Sequence, residues 1–155
     1  MNFRFRSHEK LKDARSISYV FKYGNKFHQY PLLFLFAPLP TFDKIVHSSP
    51  SSDSHVQVHD AQAGSHSSQK LKYAPLKIAF TVPKRKFRKA ADRNRIKRLM
   101  REAYRLQKNN ISLDIKDDIQ PVLGVIVIFI GNKIPEYSAI FKAMNRFIDQ
   151  LATHT

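Results

Sequence analysis

Apolar and polar positions alternate along the chain in stretches that change period. Ile17, Val20 and Phe21 recur at helical spacing, and Asp13 before them and Gly24 after them supply a cap at each end. This predicts a helix over 14–23. Residues 30–36 are rich in aromatic and aliphatic side chains and read as a strand, with Pro31 at its first positions or on an edge. Leu76, Ile78, Phe80 and Val82 alternate with other residues, which predicts a half-buried strand ended by Pro83. Ile96, Leu99, Met100, Ala103 and either Leu106 or Gln107 mark the packed side of a helix over 90–108. Residues 122–130 are continuously apolar, the pattern of a strand covered on both faces. Pro135 opens a last helix, lined on one side by Tyr137, Ile140, Phe141, Met144, Ile148 and Leu151. The order is α-β-β-α-β-α, a small α+β domain occupying 1–155, with no internal repeat.

One stretch breaks the pattern. Residues 41–73 are dominated by Ser, His, Gln, Asp and Ala and hold too few apolar groups to offset their ordering entropy. They read as a flexible Ser/His-rich insertion loop.

Charge then narrows the function. Lys plus Arg number 27 against 12 Asp plus Glu, a net charge of +15 over 155 residues. Such an imbalance concerns partners rather than fold, and points to a polyanion. Twelve basic residues fall within 84–108, opposed only by Asp92 and Glu102. Solvated helix faces ordinarily mix signs, so this run reads as a phosphate-binding surface. The expected outward row is Arg93, Lys97, Arg101 and Arg105 at i+4 spacing. Arginine predominates, and its planar guanidinium grips phosphate bidentately and stacks on bases. Asn94 adds a group that both donates and accepts.

Other classes fit less well. The chain has no Cys, which excludes disulfides, thiol nucleophiles and Cys-ligated metals. His47, His55, His59 and His66 lie in the insert without a helix to set ligand geometry. Asp114, Asp117 and Asp118 read as a solvated acidic turn rather than a nuclease metal site. A strand, not a helix, precedes the basic helix, against a helix-turn-helix DNA reader. An Arg-dominated polar face suits a membrane surface poorly. The longest apolar run is too short to span a bilayer, and no signal peptide is read at the start. The expectation is a soluble cytoplasmic protein with no catalytic residue and no metal site of its own.

The segment Arg93-Asn94-Arg95-Ile96-Lys97-Arg98-Leu99-Met100-Arg101-Glu102-Ala103-Tyr104-Arg105 resembles the protein component of bacterial ribonuclease P. The strand Ile78-Ala79-Phe80-Thr81-Val82-Pro83-Lys84-Arg85 and the segment Val20-Phe21-Lys22-Tyr23-Gly24 are similar to the family's corresponding elements. The resemblance implies a basic helix in a left-handed crossover between parallel strands. It implies a protein that assists a catalytic RNA in removing the 5′ leader from precursor tRNA. The RNA then positions magnesium and performs the chemistry, and the protein binds no cofactor alone. Arg93, Asn94, Arg95, Lys97, Arg98, Arg101 and Arg105 are implied to contact the catalytic RNA. Ile17, Phe21, Phe34, Phe36, Lys84, Arg85 and Lys86 are implied to contact the leader. Ile17 stands where the family often has Phe, and the loop around Phe87 and Arg88 is one residue longer than is common. The alternative is a general RNA-binding or RNA-chaperone protein.

Overall fold

The strand over Leu123–Phe129 (β4) sits inside the sheet because both of its faces are apolar. In the computed structural model, which describes residues 4–40, 76–111 and 122–153, three further strands join it. They are β1 (Asn25–Gln29), β2 (Leu32–Pro38) and β3 (Leu76–Thr81), in the spatial order β1-β2-β4-β3. β1 with β2 and β2 with β4 are antiparallel, and β3 with β4 is parallel. Helices α1 (Ala14–Tyr23), α2 (Ala90–Gln107) and α3 (Tyr137–Thr153) complete the mixed α+β fold. The expected order of elements holds, with β1 as an addition. The insert expected at 41–73 lies outside the described residues, as do Asp114, Asp117 and Asp118.

Strand alternation divides the core in two. Leu32, Phe34, Ile78, Val125, Val127 and Phe129 face α2 and α3. Leu35, Ala37 and Ile126 face the other way, toward Val20 of α1 and Leu39. Gly124 lets α1 approach closely, since a Cβ there would come within 3.0 Å of Val20 and 2.7 Å of Leu39. α1 begins as expected at Asp13, whose carboxylate accepts hydrogen bonds from the Ser16 N–H and hydroxyl, each at 2.9 Å.

α2 is the crossover between the adjacent parallel strands β3 and β4. Its buried stripe is Ile96, Met100, Ala103, Tyr104 and Gln107. Gln107, not Leu106, is the packed residue: its amide donates to the Phe141 carbonyl of α3 at 3.0 Å, while Leu106 is exposed. α3 contributes Phe147, absent from the expected lining. Its ring stacks on Phe34 with centroids 4.1 Å apart and planes 10° from parallel.

That stack predicts a clear difference between aromatic positions. Phe34→Ala or Phe147→Ala should cost about 3–5 kcal/mol of stability, whereas Phe21→Ala on the surface should stay within about 0.5 kcal/mol. Urea unfolding of the three variants checks this. A second expectation concerns acid. The Ser16 hydrogen bonds, backbone first, hold the Asp13 carboxyl below its ordinary range. The cap is therefore in place above the unfolded value near pH 4 and is lost as pH falls through the lower folded value. Asp13→Asn, which caps without titrating, should flatten that part of the stability curve, measured by thermal unfolding across the acid range.

Candidate nucleic-acid interface

On α2 the side chains opposite the buried stripe are Asn94, Arg95, Arg98 and Arg101, all exposed. Ala91, Asn94, Arg95 and Arg98, at i, i+3, i+4 and i+7, line a shallow recess of about 430 Å³. None of the three arginines meets a carboxylate among the described residues. This face offers planar donors and one amide to a ligand rich in phosphate.

The expected i+4 row is only partly the outward one. Each i+4 step advances about 40° around a helix of 3.6 residues per turn, so the row winds from the packed side toward solvent. Arg93, at its start, is half-buried, and its guanidinium donates to the carbonyls of Phe87 and Arg88, both at 2.7 Å. It braces the preceding loop instead of facing outward. Lys97 is half-buried. Arg105 donates to both carboxylate oxygens of Glu102, the Nε contact being 2.8 Å. That hydrogen bonding lowers the Glu102 pKa and raises that of Arg105. Of the expected row, Arg101 is the member both exposed and, among the described residues, without a carboxylate partner.

The basic loop between β3 and α2 is a turn, in which the Pro83 carbonyl accepts from the N–H groups of Lys86 and Phe87 at 3.2 and 3.3 Å. Phe87 is buried against Phe129, with ring centroids 5.7 Å apart. Lys84, Arg85 and Lys86 are carried on this anchored turn, all three exposed, and the Lys86 ammonium donates to the Ile130 carbonyl.

Ile17 and Phe21 lie on α1, Ile17 half-buried and Phe21 52% exposed. Phe34 and Phe36 are not with them. Phe34 is fully buried and Phe36 packs edge-on against Phe147, its centroid 5.7 Å away, so both belong to the opposite face of the sheet. Neither joins Phe21 in a stacking platform. Alternation assigns Leu33 and Leu35 to the α1 side instead. Their β1 partners, His28 and Lys26, share that side and are exposed. Half-buried Ala79, Thr81 and Ile128 continue the same surface. The sequence pattern does not mark Lys26 and His28 because it does not mark β1. The signal available was Phe27, a single apolar residue between Lys26 and His28.

Among the described residues no three His, Cys, Asp or Glu side chains converge as metal ligands, and no helix is long and apolar enough to cross a membrane. His47, His55, His59 and His66 lie outside the described residues.

The profile of the family described as Ribonuclease P matches residues 5–152. Over 85 residues the chain is 66% identical to the ribonuclease P protein component of Chlorobaculum tepidum, covering 52% of this chain and 55% of that one. Over 86 residues it is 30% identical to that of Porphyromonas gingivalis strain W83, covering 56% and 61%. It thus spans between about half and three fifths of the length of these curated relatives. The RNase P protein of Staphylococcus aureus superposes with a TM-score of 0.55 at 16% identity, covering 93% of this chain and 94% of that one. That of Thermotoga maritima gives 0.55 at 16%, covering 92% and 96%. At such identity the structural likeness is one of fold. With a family match running almost the whole length, and a basic helix set between parallel strands, the chain belongs to the ribonuclease P family.

Proposed function

We propose that the chain is the protein subunit of ribonuclease P, binding a catalytic RNA and assisting it in cutting the 5′ leader from precursor tRNA. The observation that carries this reading is the outer face of α2. Asn94, Arg95, Arg98 and Arg101 stand exposed there, unanswered by acid among the described residues, on a helix rooted in the core. In this reading the RNA performs the phosphodiester chemistry with magnesium. The protein supplies no catalytic group and binds no cofactor alone. Its partners are the catalytic RNA and precursor tRNA in the cytoplasm, not DNA or a membrane.

The leader occupies the α1 side of the sheet. Single strands are held by stacking and by cations along the backbone. Phe21 is the exposed aromatic face, Ile17 extends it, and Leu33 and Ile128 form an aliphatic floor. Lys84 and Arg85 serve the phosphates, with Lys86 beside them.

The deciding assay is precursor-tRNA cleavage by a bacterial ribonuclease P RNA at low magnesium. Added protein should restore cleavage, and protein alone should be inactive. A chain that binds RNA without restoring cleavage would instead be a general RNA-binding protein. In the same assay, Arg95→Ala or Arg98→Ala should weaken assembly by about 1–3 kcal/mol. Arg105→Ala should cost less, because Glu102 already holds that guanidinium.

For the leader, Lys84→Ala or Arg85→Ala should lower both affinity and salt slope, the slope by roughly 0.7 for each phosphate left without its cation. Phe21→Leu should lower affinity at an unchanged slope, since stacking is uncharged. Titrations at several salt concentrations, with precursors bearing leaders of one and of several nucleotides, check both outcomes.

A further inference from the structure

The segment before α1 is built into the sheet's edge. Lys10 bridges Ile78 of β3 in parallel, and the Leu11 N–H donates to the Ile78 carbonyl at 3.0 Å. Phe5 packs edge-on against Phe80 and Tyr104, with centroids 5.9 and 5.6 Å away. The Glu9 carboxylate accepts from the Lys108 ammonium at 2.8 Å, and these side chains are only 7% and 10% exposed. Phe5, Glu9 and Leu11 therefore do the structural joining. Lys10 and Lys12 alternate with them and are exposed.

Between this strap, β3 and α2 lies a recess of about 450 Å³. Lys10, Lys12 and Arg101 surround it, and Ala79 and Phe80 line its apolar part. Among the described residues no carboxylate answers these three cations. The Lys10 ammonium lies 5.4 Å over the Phe5 ring, and that of Lys12 donates to the Ser7 hydroxyl at 3.0 Å. The strap's own acid, Glu9, is turned inward to Lys108, and Asp13 is engaged by Ser16. Three cations unanswered among the described residues, beside an apolar, aromatic wall, suit a nucleotide, with charge for the phosphates on either side of it and a flat surface for its base or sugar. Arg101 also decides which RNA: it belongs to this recess and to the exposed face of α2, one turn beyond Arg98.

We infer that the recess holds a single-stranded nucleotide of the catalytic RNA, so that the strap extends the α2 interface around the edge of β3. This rests on the reading of the chain as a ribonuclease P subunit. The test uses the full chain and a transcribed bacterial ribonuclease P RNA. Lys10→Ala/Lys12→Ala should lower affinity about tenfold or more and reduce the salt slope by roughly 1.4, for two phosphate contacts on a single strand. Lys133→Ala/Lys142→Ala removes the same charge elsewhere and should stay within about twofold. Circular dichroism and the unfolding midpoint should match wild type for both.

Equal losses from the two double variants would overturn the inference, because total charge would then account for them. If Lys10→Ala/Lys12→Ala binds as wild type while Arg95→Ala/Arg98→Ala does not, the recess is excluded and the function stands. If none of the three loses affinity, the functional reading itself fails. The holoenzyme should show the same loss with precursors of one-nucleotide and longer leaders. A loss confined to longer leaders would overturn the assignment to the catalytic RNA.

Discussion

A helix with six basic and two acidic residues in eighteen needs support from outside itself. Like charges at i+4 cost a few tenths of a kcal/mol per pair, and no mixture of signs along α2 offsets them fully. The burial of Ile96, Met100, Ala103 and Tyr104 does. Each large apolar side chain taken from water contributes about 1.5–3 kcal/mol, several times the repulsion. Because packing holds the helix, its outer face is free to keep one sign of charge. Toward its ends α2 engages its own arginines: Arg93 donates to carbonyls of the loop before it, and Arg105 is neutralised by Glu102. Asn94, Arg95, Arg98 and Arg101 lie between these two points.

The central strand sets the rest of the arrangement. With β4 covered on both sides, β2 must send alternate residues into two different cores. Its phenylalanines go to the side where α3 brings Phe147, and Leu33 and Leu35 go to the side of α1. The sheet surface beside α1 is therefore aliphatic, and the aromatic exposure there comes from the helix. Polar strand β1 closes that surface on one side with Lys26 and His28. Across the sheet, the strap seals the edge of β3 and turns two lysines toward the same flank as Arg101.

Much of this was legible in the sequence wherever a local pattern was sufficient. The α1 boundaries follow from Asp13 and Gly24, β3 from strict alternation, β4 from its apolar run, and the basic face from its unmixed charge. What stayed hidden depends on distant partners. Alternation shows that Phe34 and Phe36 share a face but not which face, and Phe147 settles that from more than a hundred residues away. β1 has one anchoring apolar residue, Phe27, too few to reveal a period. A charge pattern counts Arg93 and Arg105 as free because it carries no hydrogen bonds. The pairing of Glu9 with Lys108 joins positions 99 residues apart, and no window along the chain contains both.

If α2 meets a structured RNA, as proposed, the distance over which it can act explains why more than one patch is needed. From Ala91 to Arg101 the helix rises about 15 Å, enough for a few phosphates and too little to distinguish one structured RNA from the many others in a cell. Charge alone binds every RNA, so discrimination has to come from several patches held in a fixed relation. Here α2, the turn at Lys84 and the strap at Lys10 are all tied to the same sheet through buried Ile96, Phe87 and Leu11. In the proposed function, cations mounted on that common element are already in position when the RNA arrives. Less conformational freedom is then lost on binding, and an RNA whose phosphates do not match the spacing gains from only one patch at a time.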